Sequence, residues 1–122
     1  MSVVRSKDRR SAERQADRRV YARAHKIVPV WYRHEGKDRR GCALDLGTEG
    51  ACLIAEVAFA ASEEFELVLQ LEEELEVRAS ARVLWSDPAP DQKTHMLGVS
   101  FKSFKSGDKA ALGGWVQRYS RV

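Results

Sequence analysis

Residues 65–85, which read FELVLQLEEELEVRASARVLW, carry the pattern that predicts the fold of this chain. From Phe65 to Leu71 every second side chain is large and apolar, and an apolar period of two returns from Leu75 to Trp85. Because successive side chains of a strand point to opposite faces, each half predicts a half-buried β-strand. The acidic run Glu72–Glu74 separates the halves, so we expect a hairpin with a solvated turn.

Four other short segments have the composition of strands, and turn-like clusters separate them. Two such clusters are His34–Lys37 and Asp87–Pro90. Six short strands in about 75 residues predict an all-β fold, either a small barrel or a sandwich, over about residues 26–102. The four segments are Ile27–Tyr32, Gly41–Leu46, Ala51–Ala55 and Met96–Phe101.

The last segment changes period and predicts a C-terminal helix over about residues 107–120 that packs on the barrel. Ser106 is its expected N-cap. Gly113 and Gly114 lie inside it, and they indicate either a break in the helix or the close approach of another backbone. The apolar stripe at three- and four-residue steps consists of Leu112, Trp115, Val116 and Tyr119.

The size of the chain limits what it can be. It has 122 residues, 43% of them hydrophobic, which predicts one globular domain and excludes a large enzyme with its own cofactor domain. No apolar run approaches the roughly 18 residues of a membrane helix, and the N-terminus lacks a signal-peptide pattern. We therefore expect a soluble, non-secreted, cytoplasmic protein in which Cys42 and Cys52 are reduced thiols.

Charge is distributed unevenly along the chain. Residues 1–40 contain 13 Lys or Arg and 5 Asp or Glu, a balance of +8, and the remaining 82 residues carry −5, which gives the formal net charge of +3. The basic end has almost no apolar side chain before Val20 and Tyr21, so it cannot form a core of its own. We expect residues 1–17 to be a flexible basic arm, and residues 18–122 to form the folded domain.

The sequence contains no group of residues that predicts a catalytic site. His25, His34 and His95 lie in different segments, and none has a partner at metal-ligand spacing, so we expect ordinary surface or loop histidines and no metal site. The nucleophile-elbow, P-loop and dinucleotide-binding patterns are all absent from the sequence. We therefore predict a binding protein, not an enzyme, with no cofactor.

Arg19-Val-Tyr-Ala-Arg23, with Arg18 before it, precedes the first strand, and Asp45-Leu-Gly-Thr-Glu-Gly50 lies between the second and third. These two motifs resemble those of the PilZ domain family, whose pattern is RxxxR followed by [D/N]xSxxG. The second motif matches at Asp45 and Gly50 but has Gly47 at the serine position. The stretches Ala81–Trp85 and Leu97–Phe101 are similar to the last two strands of the family. The resemblance spans residues 18–120 and implies a six-stranded antiparallel β-barrel with a C-terminal helix.

The resemblance also implies that the chain binds the bacterial second messenger cyclic di-GMP. An arginine guanidinium can grip a phosphate with two hydrogen bonds and can stack on a base. The Asp45 carboxylate can accept hydrogen bonds from the donor edge of guanine, and Trp85 either stacks on a guanine or continues the inward series from Leu75. Whether one ligand or a stacked pair binds is left open. The implied ligand-binding residues are Arg18, Arg19, Arg23, Asp45, Gly47, Gly50 and Trp85.

The two glycines of the second motif have different consequences. A glycine at position 47 lacks the hydroxyl of the family's serine, and one hydrogen bond is worth about 0.5 to 1.5 kcal/mol, or roughly a factor of two to ten in affinity. Gly50 is expected where a Cβ would obstruct the chain, or where a tight hairpin needs positive φ.

Three other functions compete with a nucleotide receptor. The first is a degenerate PilZ-like adaptor that binds a downstream protein partner and no nucleotide, which Gly47 favours. The second is a small barrel that binds single-stranded nucleic acid, which the net negative charge of residues 41–122 disfavours. The third is attachment of the arm to a membrane surface, which the lack of an apolar face on the arm disfavours. We therefore predict no nucleic-acid partner and no membrane span.

Ordering of the arm by the ligand is the predicted mechanism of signalling, because a basic segment without apolar anchors gains a partner when an anion binds. The ordered arm changes a protein-interaction surface, which we expect a downstream protein partner to recognise. Cyclic di-GMP should then slow tryptic cleavage within residues 1–17, as followed by mass spectrometry. Equal cleavage of the arm with and without the ligand would contradict this mechanism.

Overall fold

The computed structural model describes residues 22–120 and contains seven strands and one helix. No helix in this range is long and apolar enough to cross a membrane. The elements are β1 (Arg23–Ala24), β2 (Val28–His34), β3 (Lys37–Gly47), β4 (Gly50–Ala55), β5 (Glu64–Glu72), β6 (Leu75–Pro88), β7 (His95–Phe104) and α1 (Asp108–Tyr119).

Six of the strands close into an antiparallel barrel. The hydrogen-bonded order is β3-β2-β5-β6-β7-β4, and β4 pairs again with β3 to complete the circle. The two-residue strand β1 extends this sheet along the edge of β3 that β2 leaves unpaired after Ala43. The predicted six-stranded barrel with a C-terminal helix is therefore confirmed.

The barrel interior is filled by the alternate apolar side chains that the sequence pattern identifies. In the β5–β6 hairpin Leu69 lies opposite Val77, both are fully buried, and only Glu73 and Glu74 connect the two strands. The predicted hairpin is correct. Helix α1 packs on the barrel through three side chains that are at most 2% exposed, namely Leu112, Trp115 and Val116.

Strand β6 is longer than the sequence predicts. The cluster Asp87–Pro90 reads as a turn, but β6 continues through Pro88, which lies opposite His95 on β7. Proline lacks a backbone N–H and cannot donate to the sheet, and Pro88 is the last residue of β6. At the start of the barrel Ile27 is 70% exposed, and β2 begins one residue later than predicted.

The helix differs from the prediction at its start and in its middle. Gly107, with φ of 85°, is the N-cap in place of Ser106, and no side chain caps the helix. The carboxylate of Asp108 instead accepts a hydrogen bond from the backbone N–H of Arg78 at 2.8 Å. The helix runs unbroken through Gly113 and Gly114, and no backbone approaches either one, so both alternatives for this pair are wrong.

One extra residue in β6 decides where Trp85 points. The register with β7 pairs Val83 with Val99 and then Trp85 with Gly98, so Leu84 is a β-bulge. The bulge changes the phase of the strand, because the inward series from Leu75 ends at Val83 and Leu84 is 57% exposed. Trp85 is half-buried and lies outside the core, so its interpretation as a core residue is wrong.

His34 is not the ordinary surface histidine that the sequence predicts. Its side chain is only 11% exposed, and its Nε2 lies 3.0 Å from Glu63 Oε2. The ring also packs on Phe59, with 4.4 Å between ring centroids. The segment between β4 and β5 carries Phe59 and Glu63, so it covers this end of β2 and encloses the imidazole.

Removal of the Leu112 side chain should unfold the domain more easily, because this residue anchors α1 to the barrel and is fully buried. Leu112→Ala should lower the free energy of unfolding by about 2–5 kcal/mol, measured by urea denaturation. Gln117→Ala, at an exposed position of the same helix, is the matched control and should change stability little. Equal denaturation midpoints for the two variants would contradict the packing described here.

Candidate functional site

The pairing of β1 with β3 brings the two sequence motifs together. Arg23 lies directly opposite Gly47, so its side chain extends along the outer face of β3. Its Nε donates a hydrogen bond to Asp45 Oδ1 at 2.8 Å, and its Nη2 donates a longer one to the carbonyl oxygen of Gly50 at 3.4 Å. One guanidinium thus connects both ends of the second motif.

The Arg23–Asp45 ion pair is partly shielded from water. The two side chains are 21% and 31% exposed, and His25 Nδ1 lies 3.8 Å from the same carboxylate oxygen. Attraction between charges increases as they lose contact with water, so this pair positions the guanidinium more firmly than an exposed pair would. Within the described residues, Arg23 Nη1 and Asp45 Oδ2 have no hydrogen-bond partner.

At both motif glycines, other atoms of the protein come close to the position that a Cβ would occupy. A Cβ on Gly47 would lie 3.1 Å from the carbonyl oxygen of Ala22 and 3.3 Å from Arg23 Nη1, so the absence of a side chain lets Arg23 lie directly on β3. A Cβ on Gly50 would collide with the carbonyl oxygen of Val99, which belongs to the backbone and cannot move aside cheaply. Gly50 does not have positive φ, so the expected left-handed turn is wrong.

A row of residues connects Asp45 to Trp85 across the outside of the barrel. Asp45 lies opposite Cys52, Cys52 opposite Gly98, and Gly98 opposite Trp85, on the strands β3, β4, β7 and β6. A Cβ on Gly98 would collide with the indole of Trp85, so the Trp85 ring covers this glycine. We call the surface formed by Arg23, Asp45, Cys52, Gly98 and Trp85 the outer strip.

The structure thus brings together four of the seven predicted site residues and places a fifth farther along the same face. Arg23, Asp45, Gly47 and Gly50 are adjacent, and Trp85 lies three strands from Asp45. The other two, Arg18 and Arg19, lie outside the described residues, as does the expected arm of residues 1–17.

Sequence reasoning missed Cys52 and Gly98 as members of this surface. Alternation within β7 contains a signal for Gly98, because Leu97 and Val99 point into the core and the glycine between them must face outward. The signal becomes useful only with the strand register, which shows which strands lie between Asp45 and Trp85.

Cys52 reports on the electrostatics of the outer strip. Burial raises the pKa of its thiol, the nearby Asp45 carboxylate raises that pKa further, and Arg23 lowers it. Burial also raises the pKa of Cys42, which is half-buried. Neither thiol belongs to a metal-binding group, since residues 22–120 contain no cluster of His, Cys, Asp or Glu suited to an ion.

The sequence model of the PilZ domain family matches residues 8–118 of this chain. A search of curated proteins finds no match. Among solved structures, the PilZ domain with c-di-GMP of YcgR from Escherichia coli superposes with a TM-score of 0.62 at 14% identity, covering 84% of this chain and 91% of that one.

Two further structures share the fold. The inhibitor of motility MotI/DgrA from Bacillus subtilis has a TM-score of 0.69 at 18% identity, and 80% of this chain covers 49% of that protein, so this chain spans about half its length. A tetrameric PilZ domain protein from Xanthomonas campestris has a TM-score of 0.51 at 23% identity, with coverage of 65% of this chain and 44% of that one.

The thiol of Cys52 offers a test of the charges around it. In a Cys42→Ser background, Asp45→Asn should lower the Cys52 pKa and speed alkylation by iodoacetamide, because only the thiolate reacts. Arg23→Ala should raise the pKa and slow alkylation. The pH profiles of the alkylation rate between pH 7 and 10 measure the direction of both changes in the pKa. Identical profiles for all three proteins would contradict the arrangement.

Proposed function

The chain belongs to the PilZ domain family, and on this premise we propose that it binds cyclic di-GMP on the outer strip. The observation that supports the proposal best is the contact of Arg23 with both Asp45 and Gly50. It joins the two motifs that the family uses for this ligand at a half-exposed surface. PilZ domains are generally receptor or adaptor domains and not enzymes.

Arg23 supplies the cation for a phosphate. Its Nε is occupied by Asp45, and its Nη1 remains available within the described residues, so the guanidinium can turn a donor toward a phosphate oxygen without giving up its anchor. A pre-positioned cation binds more tightly than a free one, because less side-chain freedom is lost on binding. Arg18 and Arg19 supply further positive charge in this proposal.

Asp45 supplies the acceptor for a guanine. The second oxygen, Oδ2, has no hydrogen-bond partner among residues 22–120, and it accepts hydrogen bonds from the N1–H and N2–H donors of the base while Oδ1 stays with Arg23. Trp85 supplies an aromatic surface at the other end of the outer strip. Since its indole covers Gly98 outside the core, its position suits stacking on a base.

Gly47 reduces the expected affinity but leaves the site intact. A serine hydroxyl at this position would lie beside the Arg23 guanidinium, given that even a Cβ would come within 3.3 Å of Nη1. Its absence costs about one hydrogen bond, which corresponds to roughly a two- to tenfold loss in affinity. The same feature favours the alternative function, an adaptor that recognises a protein partner without a nucleotide.

The binding experiment is isothermal titration calorimetry of the full chain with cyclic di-GMP at physiological salt, with GTP as the ligand control. We expect a dissociation constant in the micromolar range, and a loss of at least about tenfold in Arg23→Ala because a charge-assisted contact to phosphate disappears. Arg33→Ala is the matched control, since it removes the same charge from a 65% exposed side chain paired with Asp38.

The outcomes separate the two functions. Binding that Arg23→Ala weakens and Arg33→Ala retains supports the receptor. Absence of any heat, repeated with absence of chemical-shift changes in an NMR titration, overturns the receptor and favours the adaptor. Equal weakening by the two substitutions would show a general charge effect and would overturn the assigned site.

A further inference from the structure

A second arginine stands on the same outer face of the barrel as the outer strip. Arg82 of β6 lies opposite Ser100 of β7, and Ser100 lies opposite Gly50 of β4. This row runs beside the row that connects Asp45 to Trp85, because Gly50 and Cys52 are neighbouring outward positions of β4. Sequence motifs do not identify Arg82, since its position follows only from the register.

Arg82 and Arg23 lie on the same outer face of the barrel, on either side of Ser100. The Arg23 guanidinium lies at the carbonyl oxygen of Gly50, and Arg82 begins two strand spacings away, about 10 Å. Arg82 contacts Glu64 of β5, on the other side of β6 from Ser100. An anion above Ser100 can therefore be reached by Arg23 from β1 and, when Arg82 leaves Glu64, by Arg82 from β6.

The present partner of Arg82 is one that a ligand can replace. Both Nε and Nη2 of Arg82 donate to the single oxygen Oε2 of Glu64, at 3.1 and 2.7 Å. The side chains are 44% and 49% exposed, and exposed ion pairs add little net stability because water screens them. A phosphate offers the guanidinium more negative charge and the geometry for two parallel hydrogen bonds.

We propose that Arg82 is a further ligand-binding residue, which takes a phosphate of cyclic di-GMP at the β6 side of the outer strip, and that Glu64 competes with the ligand for it. The inference rests on the proposed function, since it assumes that a ligand with two phosphates occupies this surface. The two phosphates are then held from opposite sides, one by Arg23 and the other by Arg82. Glu64 acts as an internal anion that lowers the affinity.

Calorimetry of three single variants of the full chain with cyclic di-GMP tests the assignment. Arg82→Ala should weaken binding by about tenfold, because a charge-assisted contact is lost. Glu64→Gln should instead strengthen binding by about two- to fivefold, because Arg82 no longer has to leave an ion pair. Arg78→Ala is the matched control, since it removes a 57% exposed arginine from the same strand and should bind as the wild type does.

The two substitutions at the Arg82–Glu64 pair are expected to act in opposite directions, which a purely structural role would not produce. Thermal unfolding of each variant checks that the barrel is folded. Wild-type binding with an unchanged constant in Arg82→Ala overturns this inference and leaves the receptor function standing. Weaker binding in both Arg82→Ala and Glu64→Gln shows that the pair only supports the sheet, and this also overturns it. Absence of wild-type binding overturns the proposed function, and the inference with it.

Discussion

Residues 42–47 of β3 are the part of the chain on which the architecture depends, because neighbouring strands flank this stretch along both edges. On one edge β2 ends its pairing at Ala43 and β1 takes over at Leu46, and on the other edge β4 runs from Ala51 to Ile54. The second pairing closes the barrel. The same pairing fixes Asp45 between Arg23 and Cys52, so the contact that closes the barrel also positions a residue of the candidate site.

Positive charge on this surface is held in place by carboxylates of the protein itself. Arg23 is bound by Asp45 in a partly shielded pair, whereas Arg82 is bound by Glu64 at half exposure. The first carboxylate holds its arginine through Oδ1, whereas the second pair is more exposed and is screened more by water. In our proposal, Asp45 therefore positions its arginine for an anion, whereas Glu64 competes with the anion.

Much of the barrel could be predicted from the sequence, because a period of two in a half-buried strand leaves a direct trace in the residue order. The β5–β6 hairpin is an example. The three- and four-residue spacing of Leu112, Trp115 and Val116 is the corresponding trace of the buried face of α1. The motif residues from Arg23 to Gly50 could be predicted only through resemblance to a family. Nothing local in the chain indicates that residues far apart in sequence meet on β3.

The incorrect predictions share a physical cause: tertiary packing determines features of the fold that a local sequence pattern does not contain. Gly113 and Gly114 are compatible with a continuous helix because neighbouring side chains of the same helix are buried in the barrel. Ser106 does not cap the helix because Gly107 adopts a left-handed conformation in its place. Counted from the connection between β6 and β7, the pairing of Arg82 with Ser100 depends on the bulge at Leu84, and a bulge has no clear signature in an alternating sequence.

Because Leu84 is a bulge, the orientation of Trp85 depends on the number of residues in this part of β6. Between Val83 and Trp85 the strand contains one residue more than its partner, and that residue alone turns the indole from the interior to the outside. Loss of any single residue there would leave the composition of β6 nearly unchanged and direct the largest side chain of the strand into a filled core. A substitution in this stretch leaves Trp85 on the outside of the barrel. An insertion or a deletion, in contrast, changes the side of the barrel wall on which the tryptophan lies.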